Sequence, residues 1–107
     1  MLDKLRTLTN GNPTRMKMYV ELYLEAIDEN LPMLKKANEI GDKKAIRTVA
    51  HTLKPLFTTV GFQSLWELAN TIETNIDLAQ DLEKVGELSS ELYEQLVTSR
   101  KEVAQAL

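Results

Sequence analysis

The sequence predicts an all-α fold, an antiparallel four-helix bundle with a short N-terminal capping helix. Three observations carry this expectation. Apolar residues recur at three- and four-residue steps through most of the chain, no stretch alternates as a half-buried strand would, and short turns join the resulting segments. Amphipathic helices of this length bury their apolar stripes best against one another, and short connections make neighbours antiparallel. At 107 residues the chain can build one apolar core without disulfide or metal staples, so 1–107 reads as one domain.

The elements follow in order. A short helix is expected over about residues 2–8, stopped by Asn10-Gly11. Asn12-Pro13 then reads as an N-cap with proline at the first helical position. From there Met16, Val20, Tyr23, Ile27, Leu31 and Leu34 form one apolar stripe of a helix over 13–40. Pro32 lies inside it and should kink or divide it near Glu29 to Leu31. Gly41-Asp42 supplies a glycine stop and a capping acid. The next helix, 43–60, turns Ile46, Val49, Ala50, Leu53, Phe57 and Val60 to one side and ends at Gly61. A helix over 63–76 presents Leu65, Leu68, Ala69, Ile72 and Ile76, and residues 77–81 form a turn. The last helix, 82–106, carries Val85, Leu88, Leu92, Leu96 and Val103. Trp66 and most other large apolar residues read as packing or partner surface, because helical spacing usually marks a core.

Composition narrows the chemistry. A net charge of −3 disfavours nucleic-acid binding, which needs a basic face. No apolar run is long enough to span a bilayer, and the first residues carry an acid and no hydrophobic stretch, so neither membrane insertion nor a secretory signal is expected. The absence of cysteine removes thiolate chemistry and suits a reducing, cytoplasmic location. With no glycine-rich phosphate loop and no second histidine to complete a metal pair, no metal site and no cofactor are expected, and an autonomous kinase or phosphatase has no visible machinery.

One group stands out. His51, the single histidine, falls roughly 150° from the mean apolar direction of its helix and so faces solvent. Lys44, Arg47, Lys54 and Thr58 share its side at three- and four-residue spacings, and no acid of the same helix interrupts them. A neutral imidazole offers one unprotonated nitrogen as nucleophile, and a phosphoryl group in transfer spreads negative charge that neighbouring cations stabilise. The face therefore suits a phosphoryl group delivered by an acidic partner, and equally reads as a solubility face with clustered charge.

The segments Ala50-His51-Thr52-Leu53-Lys54, Val60-Gly61-Phe62, Leu65, Leu68-Ala69 and Ile72-Glu73 resemble the signature of the histidine-containing phosphotransfer (HPt) family. That signature sets a hydrophobic residue and lysine after the histidine, a glycine ten positions on, then a hydrophobic helix ending in leucine or isoleucine plus glutamate or glutamine. The resemblance implies a four-helix phosphocarrier in a multistep two-component phosphorelay, not an enzyme. It implies that His51 accepts a phosphoryl group from a receiver-domain aspartyl phosphate and passes it to another receiver. Lys54 would lie beside the phosphorylated imidazole, Glu73 would hold the other ring nitrogen, and Gly61 would allow close packing against the histidine helix. Magnesium would belong to the partner receiver. The partner surface would centre on His51 and include Arg47, Thr48, Lys54, Pro55, Thr58 and Phe62.

Pro55 departs from the pattern, which usually has glycine there, and Leu56-Phe57 stand where small residues are frequent. Proline has no amide hydrogen and crowds the carbonyl four residues back, so a bend at the histidine turn is expected, with the His51 carbonyl missing its ladder partner. The expected partners are response-regulator receivers and a hybrid histidine kinase, in cis or in trans. A monomer is expected, because the outer helix faces show no apolar stripe that demands a partner copy. The alternative is a helical adaptor that binds a receiver or kinase through this surface without being phosphorylated.

Overall fold

The computed structural model describes residues 2–106. Five helices follow in order: α1 Asp3–Leu8, α2 Pro13–Ile40, α3 Lys43–Val60, α4 Gln63–Asp77 and α5 Leu82–Gln105. There is no strand among the described residues. α2 packs on α3 and α5, and α4 packs on the same two helices, so the four long helices close a ring around the core while α1 rests against α3. The bundle is all-α, as the periodicity predicts. No helix of the described residues is long and apolar enough to cross a membrane.

Local chemistry sets the boundaries. The Asn12 side chain accepts from the Arg15 amide at 3.1 Å, and Asp42 accepts from the Ala45 amide at 3.0 Å, each satisfying an orphan donor at a helix start. Gly41 and Gly61 close α2 and α3 in the left-handed conformation, with φ of 69° and 81°. At the second of these the Phe62 amide reaches the Phe57 carbonyl at 2.8 Å and the Gly61 amide reaches Thr58, the Schellman pattern. α1 begins one residue later than its expected start, with Leu2 as its cap, and α4 runs one residue further, to Asp77.

Pro32 does not divide α2, and α3 stays helical through Pro55. Each proline removes one ladder bond, to the carbonyls of Asp28 and His51 respectively, and all four residues are exposed. The apolar stripes continue on both sides, through Ile27 and Leu34 in α2 and Leu53 and Phe57 in α3, all fully buried. Burial of those stripes outweighs a single solvent-side bond.

The core is more polar than the stripes suggest. In α2, Met16 and Leu31 are only half-buried, whereas Asn30 and Ala37 are buried, and Asn30 donates to the Ala26 carbonyl at 2.8 Å. In α5, Leu88 is half-buried while Ser89 and Ser99 lie inside. Ser99 Oγ and Tyr23 Oη share a hydrogen bond of 2.7 Å, and Ser89 donates to Asn38. No buried side-chain nitrogen or oxygen of the described residues lacks a partner, as satisfied interiors require. Leu68 and Ile76 of α4 are half-buried and Glu73 is buried instead. The outer face of α2 also departs from expectation. Met18, Leu22, Met33 and Ile40 share one exposed side of it, interrupted by Glu25 and Glu29.

Candidate functional site

α3 carries its apolar residues inward and leaves His51 outside, with 66% of its side chain exposed. The ring is nevertheless tied down at one edge. Its Nδ1 lies 2.6 Å from Oε1 of Glu73, a residue of the neighbouring helix α4 whose side chain is 9% exposed. An ionised carboxylate can only accept, so a neutral ring in this contact carries its proton on Nδ1. Nε2 then holds the lone pair, and the described residues give it no hydrogen-bond partner.

The second oxygen of Glu73 accepts from Lys54 Nζ at 3.1 Å, and the same ammonium donates to Asn70 Oδ1 at 3.0 Å. It also stands 5.0 Å from the centroid of Trp66, within cation–π range. Burial alone pushes the Glu73 carboxyl up; the hydrogen bonds from His51 and Lys54, with their charges, overcome it and hold the group below its ordinary value. Glu73 is therefore an anion that orients an imidazole and an ammonium at once.

Arg47, one turn before His51, forms a fork with Asp77 of α4, Nε to Oδ1 at 2.5 Å and Nη2 to Oδ2 at 3.2 Å. Its Nη2 also lies 3.7 Å from Glu73 Oε1. The face is thus not the free positive patch that α3 alone suggests, because α4 sets two carboxylates against its cations. Trp66, Asn70 and Asp77, which α3 could not reveal, share a stripe with Glu73 at four-, three- and four-residue steps. That spacing was the available signal.

Thr48, Pro55 and Thr58 lie exposed on α3 beside this cluster. The threonine hydroxyls fold back onto the Lys44 and Lys54 carbonyls. Gly61 and Phe62 lie elsewhere, at the C-terminal end of α3. A Cβ on Gly61 would stand 3.0 Å from Lys4 Cβ, so the close approach that glycine permits is that of α1 to the end of the histidine helix. Phe62 packs edge-on against Tyr23 with ring centroids 5.7 Å apart. It also lines a cleft of about 580 Å³ with Gln63, Leu65, Thr98 and Glu102, which His51 does not border. Among the described residues no group of three or more histidine, cysteine or acidic side chains is placed to hold a metal ion.

The arrangement presents an outward nucleophilic nitrogen on a rigid helix, with its tautomer set from behind by a buried anion. Comparison with known proteins bears on the same residues. A family model described as the Hpt domain matches residues 18–106, a span that includes α3, α4 and all the polar contacts of His51. No curated protein and no solved structure matches the chain. With nearly the whole chain covered by that match, the protein belongs to the Hpt domain family, the histidine phosphotransfer modules of phosphorelays.

Proposed function

We propose that His51 is the phosphoacceptor, taking a phosphoryl group from an aspartyl phosphate of one response-regulator receiver and delivering it to another. The observation that carries this reading is the 2.6 Å contact between His51 Nδ1 and Glu73 Oε1. It reserves Nε2 for attack. In the forward step Nε2 attacks phosphorus in line with the acyl-phosphate oxygen. The N–P bond forms as the P–O bond breaks, and the receiver aspartate leaves as a carboxylate. Nδ1 keeps its proton, and the positive charge that develops on the ring is matched by Glu73. An ammonium has three donors; two of those of Lys54 are used by Glu73 and Asn70, leaving one for a phosphoryl oxygen.

The chain is a carrier. Magnesium would be held by the receiver, where its charge would neutralise the phosphoryl oxygens. Thr48, Pro55 and Thr58, exposed around His51, form the receiver contact together with Arg47 and Lys54. The module acts in the cytoplasm, receiving from a hybrid kinase in cis or in trans.

Mixing the protein with a phosphorylated receiver tests the reading. Phosphate that is acid-labile and base-stable should appear on the wild-type chain and be absent from a folded His51→Gln variant. Binding to receivers without any such label would replace this reading by that of an adaptor.

A further inference from the structure

The Arg47–Asp77 fork makes no hydrogen bond to the His51 ring, yet it lies against the oxygen on which the histidine depends. Glu73 and Asp77 are one turn apart on α4, and Arg47 and His51 are one turn apart on α3. Arg47 therefore sits between the two carboxylates. Its Nη2 is 3.2 Å from Asp77 Oδ2 and 3.7 Å from Glu73 Oε1, the same oxygen that His51 Nδ1 reaches at 2.6 Å. Two donors point at one acceptor, and only one of them is within hydrogen-bond distance.

We propose that Asp77 is a positioning residue for His51: its bidentate grip on Arg47 keeps the guanidinium off Glu73 Oε1 and leaves that oxygen to the imidazole. A guanidinium is always charged and outcompetes a neutral ring for a carboxylate unless it is held elsewhere. Asp77 has the matching planar geometry, and the Arg47 hydrogen bonds keep its carboxyl below the ordinary range, so the grip is ionic across neutral pH. Without it Arg47 swings to Glu73, the Nδ1–H bond weakens, and the ring drifts towards the Nε2–H tautomer that free imidazole prefers. That tautomer has no lone pair to present to a receiver.

This deepens the reading of His51 as acceptor, but its test needs no phosphate. With one histidine in the chain, long-range proton–nitrogen NMR of the labelled protein reads the tautomer ratio without assignment, under conditions in which the ring is neutral. Asp77→Asn should lower the Nδ1–H to Nε2–H ratio roughly fivefold. Arg47→Lys, which cannot span both Asp77 oxygens, should move it the same way. The double variant Arg47→Ala/Asp77→Asn should return it towards wild type, since the competitor is gone. Asp28→Asn is the matched control: it breaks the equivalent fork with Arg100 on the far side of the bundle and should leave the ratio unchanged. An unchanged ratio in Asp77→Asn, no recovery in the double variant, or an equal shift in the control overturns the proposal. A chain that takes no phosphate but shows these shifts fails only as an acceptor.

Discussion

Nδ1 of His51 and Oε1 of Glu73, 22 residues apart in the chain, meet at 2.6 Å across the seam between α3 and α4. An exposed ring and a buried carboxylate are thereby made one unit. The anion decides which ring nitrogen is free, and the ring and Lys54 together keep the anion ionised in a partly desolvated position.

Removing that anion should slow transfer without unfolding the bundle. Glu73→Gln keeps an acceptor oxygen and loses the charge, and is expected to lower the phosphotransfer rate about 10- to 100-fold, by analogy with the loss of a partner that orients a metal-ligating histidine. Glu73→Ala, which loses both, should fall further. Single-turnover transfer from a phosphorylated receiver measures this; a wild-type rate in Glu73→Ala would sink the positioning role.

The same pair makes a contribution to stability that depends on pH. Glu73 has a folded value below its unfolded one, so its contribution is fully present above the ordinary carboxylate range. It disappears as pH falls through the lowered folded value, where both states become protonated. Urea midpoints of wild type and Glu73→Gln should therefore differ at neutral pH and converge on acidification. A gap that widens below the carboxylate range contradicts the sign.

Lys54→Met retains an apolar stem and removes the ammonium that stands over Trp66. Transfer should fall about tenfold or more, whereas stability should change by only about 1 kcal/mol. Chemical denaturation and transfer kinetics on the same variant separate the two; a stability loss that accounts for the whole kinetic effect would make Lys54 a packing residue.

At the opposite seam, burial pushes the Tyr23 hydroxyl up to about 12, against a smaller lowering by its bond to Ser99. A raised value stabilises the fold below the unfolded tyrosine range and is lost as pH climbs through the folded one. The alkaline absorbance titration of wild type minus that of Tyr23→Phe should place this hydroxyl's ionisation near pH 12 or at unfolding. Tyr23→Phe itself should cost about 1 kcal/mol, one buried hydrogen bond. A difference titration centred near the unfolded value would show that Tyr23 is not sealed in the core.

Gly61 separates folding from transfer. Alanine there must adopt a φ of 81° and place its Cβ 3.0 Å from Lys4, so Gly61→Ala should cost about 1–2 kcal/mol. Thermal melts should show that loss while the transfer rate of the folded protein stays within about twofold of wild type. A large kinetic defect at unchanged stability would return Gly61 to the site.

Much of this was legible from spacing. The caps Asn12 and Asp42, the stops Gly41 and Gly61, and the inward residues of α3 follow from local rules that depend on nearby sequence alone. His51 facing outward is the same arithmetic. That α2 stays undivided at Pro32 is not legible locally, because a local rule weighs one lost amide bond and cannot weigh the buried side chains on either side of it. Asn30, Ser89 and Ser99 were equally opaque, since a polar residue is admitted to a core only when a partner from the same helix or another one satisfies it.

The positive face of α3 shows where the division falls. The sequence by itself determined that helix, its exposed histidine and the cations one turn to either side, because helical phase is a property of a single segment. Only the tertiary structure decided that Arg47 is spent on Asp77, that Lys54 is shared between Glu73 and Asn70, and that Oε1 of Glu73 is left for the ring. Those pairings depend on which residues of α4 stand opposite α3, and that register is set by how the core side chains of all four long helices pack.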